Sequence, residues 1–130
     1  MNIRKAKKPE LDAIMDVYSS CVKGMIELGI DQWDESYPNR EVIKGDLELG
    51  DYYIGLIDNE IVAGIKIDRK QDPTYLTIDW SDKSNNFMVV HRLCSKTTVW
   101  SKGVGNEIRP FPNCSFVGTF ARGKSIRMNM

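Results

Sequence analysis

Between Pro9 and Gly29 the chain repeats apolar residues at helical spacing: Leu11, Ile14, Met15, Tyr18, Cys21, Val22, Met25 and Ile26. This stripe predicts a long amphipathic helix with one face that must be buried. Pro9 suits its first turn, and Gly29 is placed to end it in the left-handed conformation. A shorter helix is predicted from Arg40 to Leu49, with Asn39 as N-cap and Gly50 as its stop. A short strand over 2–6 precedes both helices.

The segments after Gly50 read as strands. Tyr52–Ile57 and Ile61–Ile67 flank an Asp58-Asn59 turn. Val62, Ala63, Gly64 and Ile65 are too apolar for a one-sided strand, which predicts cover on both faces. Residues 68–73 read as a polar loop, Tyr75–Trp80 as a third strand of this series, and Phe87–Cys94 as a fourth. A strand, two helices and then antiparallel strands predict an α+β domain with helices packed on a mostly antiparallel sheet. The length of 130 residues suits one domain and one core.

Composition narrows the function classes. Lys+Arg and Asp+Glu both total 18, so net charge offers no argument for nucleic acid or an anionic membrane. The N-terminus lacks the apolar stretch of a signal peptide, and no apolar run is long enough to span a bilayer. The three cysteines are scattered and odd in number, as expected of reduced thiols in a cytoplasmic protein. With His91 the only histidine, no metal site is predicted.

The segment Val89-Val90-His91-Arg92-Leu93-Cys94 followed by Lys102-Gly103-Val104-Gly105 carries the main functional signal. A strand that leads to a glycine turn can offer backbone N–H groups to a phosphate. In this context, the segment resembles the acetyl-CoA-binding region of the GCN5-related N-acetyltransferase (GNAT) family. Residues 2–94 resemble the N-terminal two-thirds of a bacterial member: first strand, long helix, Gly29-Ile30-Asp31-Gln32-Trp33, Tyr37-Pro38, second helix, and the strand that ends in His91-Arg92-Leu93-Cys94. Lys102-Gly103-Val104-Gly105 matches the back half of the family's Gln/Arg-x-x-Gly-x-Gly/Ala signature, with Trp100 where the signature has Gln or Arg. Residues 123–128 resemble the family's fifth strand.

The resemblance implies an acyl-CoA N-acyltransferase fold and transfer of an acetyl group from acetyl-CoA to a primary amine of a small molecule or peptide. Main-chain groups of Arg92, Leu93 and Cys94 would bond the pantetheine arm. Lys102, Gly103, Val104 and Gly105 would cradle the pyrophosphate, and Trp33 and Tyr37 would line the acceptor pocket. His91 and Asp79 are the candidate bases, each with a plain alternative as a packed or solvent-facing strand residue. Cys94 reads as a buried strand thiol rather than a nucleophile.

After Cys94 the chain changes character. Residues 95–130 contain six basic residues and one acidic residue, Glu107, and Pro110 and Pro112 interrupt any helix that begins at Gly103. Residues 95–122 are thus atypical of the family, and a shifted reading frame there would account for the composition. The family's later helix, with its thiolate-protonating Tyr, and its last two strands have no counterpart. Those missing C-terminal elements predict a homo-oligomer that covers the sheet edge near 115–130. They also keep open an alternative, a catalytically impaired GNAT-like domain that serves as a binding or structural unit.

Overall fold

The computed structural model describes residues 1–30, 36, 38–68, 87–102, 115–117 and 125–129. Its strands are β1 (Asn2–Lys5), β2 (Tyr52–Ile57), β3 (Glu60–Asp68), β4 (Phe87–Ser95), β5 (Ser115–Val117) and β6 (Ser125–Asn129). The helices are α1 (Leu11–Glu27) and α2 (Arg40–Leu49). The strands form one sheet in the order β1-β2-β3-β4-β6-β5, and every neighbouring pair is antiparallel.

Local chemistry sets the helix limits. The α-helix begins at Leu11 rather than Pro9, because Lys8–Glu10 form a 3-10 turn. The Glu10 carboxylate accepts the Lys7 N–H at 2.9 Å and the Arg4 guanidinium at 2.6 Å, which holds that turn against β1. At the far end, Gly29 adopts φ +73° and the Ile30 N–H returns to the Met25 carbonyl at 2.9 Å. That 6→1 bond satisfies a carbonyl the helix leaves over. In α2 the Asn39 side chain accepts the Val42 N–H at 3.0 Å, and Gly50 at φ +73° ends the helix.

Between β2 and β3, Asp58 and Asn59 have φ of +51° and +65°. Both turn residues are left-handed, as a tight hairpin matched to strand twist requires. β3 runs through Asp68, which pairs with Val89, so the expected loop begins later than the polar residues suggest. The expected strand Tyr75–Trp80 lies outside the described residues. β5 had no sequence signal, because three residues are too few to show a period.

The core lies on both sides of β3. Tyr18, Ile14 and Val17 of α1, Ile43 of α2, and Tyr52 and Ile54 of β2 form one buried cluster, which Cys94 joins. Ala63, Ile65, Ile67 and Val90 belong to a second. Alternation along β3 therefore turns Gly64, Lys66 and Asp68 toward the helices. No helix among the described residues is long and apolar enough to cross a membrane.

Candidate functional site at the β4 bulge

The ladder between β3 and β4 breaks at Arg92. Gly64 pairs with Cys94 and Lys66 with His91, so the one residue Ile65 faces both Arg92 and Leu93. Arg92 has φ +50°, a left-handed conformation that costs a non-glycine residue about 1–2 kcal/mol. This is a β-bulge, in which an extra residue bends the strand and re-aims its side chains. His91 and Arg92, adjacent in sequence, both reach acidic residues that lie on the helix side.

The bulge divides the outer edge of β4 in two. β6 pairs with Phe87 through His91. Beyond His91, no described strand lies on that edge. The Lys96 N–H donates to the Val62 carbonyl at 2.8 Å, so the main chain of Lys96 faces β3. By alternation Cys94 also faces β3, whereas Leu93 and Ser95 turn their main-chain groups toward the opposite edge, where no described strand pairs. There the Ser95 carbonyl accepts the Trp100 Nε1–H at 3.0 Å. The Arg92 carbonyl leaves the ladder and accepts the Tyr18 hydroxyl at 3.0 Å, and Tyr18 accepts the Tyr52 hydroxyl at 2.8 Å.

A charged cluster lies beside the bulge. Asp46 of α2 is only 4% exposed and accepts two bonds from Arg92, at 2.6 and 2.8 Å. Lys66 lies 3.1 Å from Asp46 and 3.5 Å from Asp68. The other oxygen of Asp68 is 2.8 Å from His91 Nε2. An ionised carboxylate only accepts, so the neutral imidazole carries its proton on Nε2 and its basic lone pair on Nδ1. Two carboxylates face the Arg92 guanidinium and the Lys66 ammonium, and this pairing of opposite charges lets the cluster persist under the helices.

Burial governs the neighbouring titratable groups. It pushes the Cys94 thiol well above its ordinary value, and it does the same to the Tyr18 and Tyr52 phenols. Cys21 is raised for the same reason. Cys94 is thus a protonated thiol without the electropositive setting a nucleophile needs. A cavity of about 640 Å³ opens beside α1, lined in part by Met15, Tyr18, Val22, Lys23, Glu27 and Pro38. Tyr18 lines this cavity, and its hydroxyl donates to the Arg92 carbonyl at the bulge.

Of the expected site residues, the structure brings His91, Arg92, Leu93 and Cys94 together at the bulge, and Lys102 follows the 3-10 turn after β4. Asp79, Trp33, Tyr37, Gly103, Val104 and Gly105 lie outside the described residues. Asp46, Lys66, Asp68, Tyr18 and Tyr52 were not singled out as site residues. Asp68 carried one signal that was open to reading: it continues the β3 alternation Gly64, Lys66, Asp68. Among the described residues no group of three metal-ligating side chains occurs.

No family model matches the sequence, and no curated protein matches it. Solved structures do. A protein from Staphylococcus aureus Mu50 assigned as an acetyltransferase is 25% identical with a TM-score of 0.63. That match covers 83% of this chain, which spans 66% of that one. A GNAT-family acetyltransferase from Streptococcus agalactiae 2603 is 18% identical with a TM-score of 0.75, and covers 98% of this chain and 92% of its own. The PaiA N-acetyltransferase of Thermoplasma acidophilum, in complex with coenzyme A, is 14% identical with a TM-score of 0.58, over 98% of this chain and 96% of its own.

Proposed function

The chain has a GNAT-like fold, and we propose that it is an N-acyltransferase that moves an acetyl group from acetyl-CoA to a primary amine. The observation that carries this reading is the edge of β4 beyond His91, where the pairing with β6 ends. A pantetheine arm can lie there as an extra strand, with hydrogen bonds to the Leu93 main chain. An N–H at that edge polarises the thioester carbonyl, where charge develops as the amine attacks. Lys102, with Gly103, Val104 and Gly105, binds the pyrophosphate.

The cavity beside α1 receives the acceptor, with Trp33 and Tyr37 as the acceptor-binding residues that the family resemblance suggests. Its volume suits a small molecule or the end of a peptide. His91 removes the proton from the attacking ammonium group, with Asp68 stabilising the imidazolium that forms. The neutral amine nitrogen then bonds to the carbonyl carbon, the bond from that carbon to sulfur breaks, and the nitrogen loses its remaining excess proton to solvent to give the amide. The thiolate leaves and takes a proton from solvent.

Two measurements test the reading. Acetyl-CoA at about a hundredfold excess over Kd should stabilise the fold by about 2.7 kcal/mol. Release of free CoA thiol should then depend on an amine from a panel of primary amines. Failure of acetyl-CoA to bind at millimolar concentration would overturn the reading. Binding without thiol release for any amine would replace it with a non-catalytic acyl-CoA-binding unit.

A further inference from the structure

We infer that Tyr18 is a positioning residue for the acyl-CoA site, because its hydroxyl holds open the bulge that decides which main-chain groups of β4 face the cofactor. This rests on the acyl-CoA reading above.

Arg92 is held from two directions. Its carbonyl accepts the Tyr18 hydroxyl of α1 at 3.0 Å. Its guanidinium makes two bonds to Asp46 of α2. The grip on the carbonyl extends backward through the buried hydroxyls, since Tyr52 donates to Tyr18 at 2.8 Å. Tyr52 in turn lies over Gly64, where any Cβ would collide with its hydroxyl. A glycine, two buried phenols and one carbonyl thus form a continuous path from β3 to the extra residue of β4.

The consequence follows from strand geometry. Side chains and main-chain groups alternate with a period of two, so loss of one extra residue exchanges every face beyond it. If Arg92 relaxed to an extended conformation, Cys94 would turn its N–H away from β3 and Leu93 would turn toward β3. The Cys94 side chain would leave the helix-side core. The left-handed Arg92 is locally unfavourable, and the Tyr18 bond compensates it at the carbonyl. The guanidinium grip fixes the side chain but does not dictate where the carbonyl points. That second task falls to Tyr18.

The test compares Tyr18→Phe with the wild-type chain, and with Ile14→Val as a control that weakens the same helix away from the bulge. Amide exchange is read at Leu93, Cys94 and Ser95 without ligand, and acetyl-CoA affinity by calorimetry. In Y18F, protection of the Cys94 amide should fall at least tenfold and acetyl-CoA Kd should rise about tenfold. In I14V both should match wild type. Tyr52→Phe removes the donor that orients the Tyr18 hydroxyl toward the Arg92 carbonyl, and should raise Kd by a smaller factor. It decides the matter should Y18F fail to fold. Unchanged exchange at 93–95 in Y18F, or in Y52F if only that variant folds, would overturn the inference while leaving the acyl-CoA reading intact. A wild-type chain that binds no acetyl-CoA would overturn the reading, and the exchange data would still decide the role of Tyr18 at the bulge.

Discussion

Arg92 of β4 and Asp46 of α2 form a two-point ion pair with N–O distances of 2.6 and 2.8 Å, and the carboxylate is 4% exposed. The paired donors match both carboxylate oxygens, a geometry that lysine cannot reproduce. The pair ties the second helix to the bulge that shapes the candidate site.

Removal of the carboxylate should therefore be costly. Asp46→Ala leaves Arg92 and Lys66 buried without their shared anion. Urea unfolding should show a loss of about 3 kcal/mol. Asp46→Ala combined with Arg92→Ala should lose less than the sum of the two single changes. Additive losses would mean that the pair does not act as a unit.

Gly64 tests the packing of Tyr52. A Cβ there collides with the Tyr52 hydroxyl, so Gly64→Ala should destabilise by about 1–3 kcal/mol. The same change in a Tyr52→Phe background should cost less, because the obstructing oxygen is gone. Equal costs in both backgrounds would show that the ring of residue 52, not the hydroxyl, sets the limit.

The N-cap of α2 offers a local check. Asn39→Ala removes the acceptor of the Val42 N–H and should cost about 1 kcal/mol. Asn39→Asp should retain most of that stability, since its carboxylate accepts the same bond. Thermal unfolding of the three proteins separates these outcomes.

Alkaline pH should weaken the fold. Cys21 and Cys94 ordinarily titrate near 9.0 and Tyr18 and Tyr52 near 10.0, and burial raises all four in the native state. Above about pH 9 the unfolded chain gives up these protons first, so it binds fewer protons than the native state. Stability then falls as pH rises, by up to about 1.4 kcal/mol per pH unit for each group. Below the ordinary thiol value the four groups add no slope. On the acid side, the Arg4 hydrogen bond lowers Glu10 from 4.5, so its small surface contribution is present above that value and fades as pH falls. Urea midpoints measured from pH 7 to 11 should decline only at the upper end, and Cys94→Ala should flatten part of that decline.

His91 and Asp68 should separate in kinetics if the proposed acyl transfer occurs. His91→Ala should lower kcat by about 10²- to 10⁴-fold. Asp68→Asn should lower kcat less and alter the pH profile, because the amide cannot stabilise an imidazolium as a carboxylate does. Unchanged kcat in H91A would remove His91 from the chemistry.

Local chemistry was legible in the chain itself. The stripe from Leu11 to Ile26, the Asn39 cap, the two left-handed glycines at 29 and 50, and the Asp58-Asn59 turn each depend on residues within a few positions of one another. The apolar run that includes Val89 and Val90 likewise marked a strand, and its resemblance to a family marked the neighbourhood of the site. The bulge was not legible. Arg92 is not a residue type that favours φ +50°, and the groups that bond its two ends, Tyr18 and Asp46, lie 74 and 46 residues away in sequence. His91 showed no partner in sequence, because Asp68 meets it only through the β3–β4 register. Contacts of that kind depend on how strands pair and which helix lies over them. Propensity and periodicity determined the elements of this protein, whereas the tertiary structure alone decided which buried charges meet and where the β3–β4 ladder breaks.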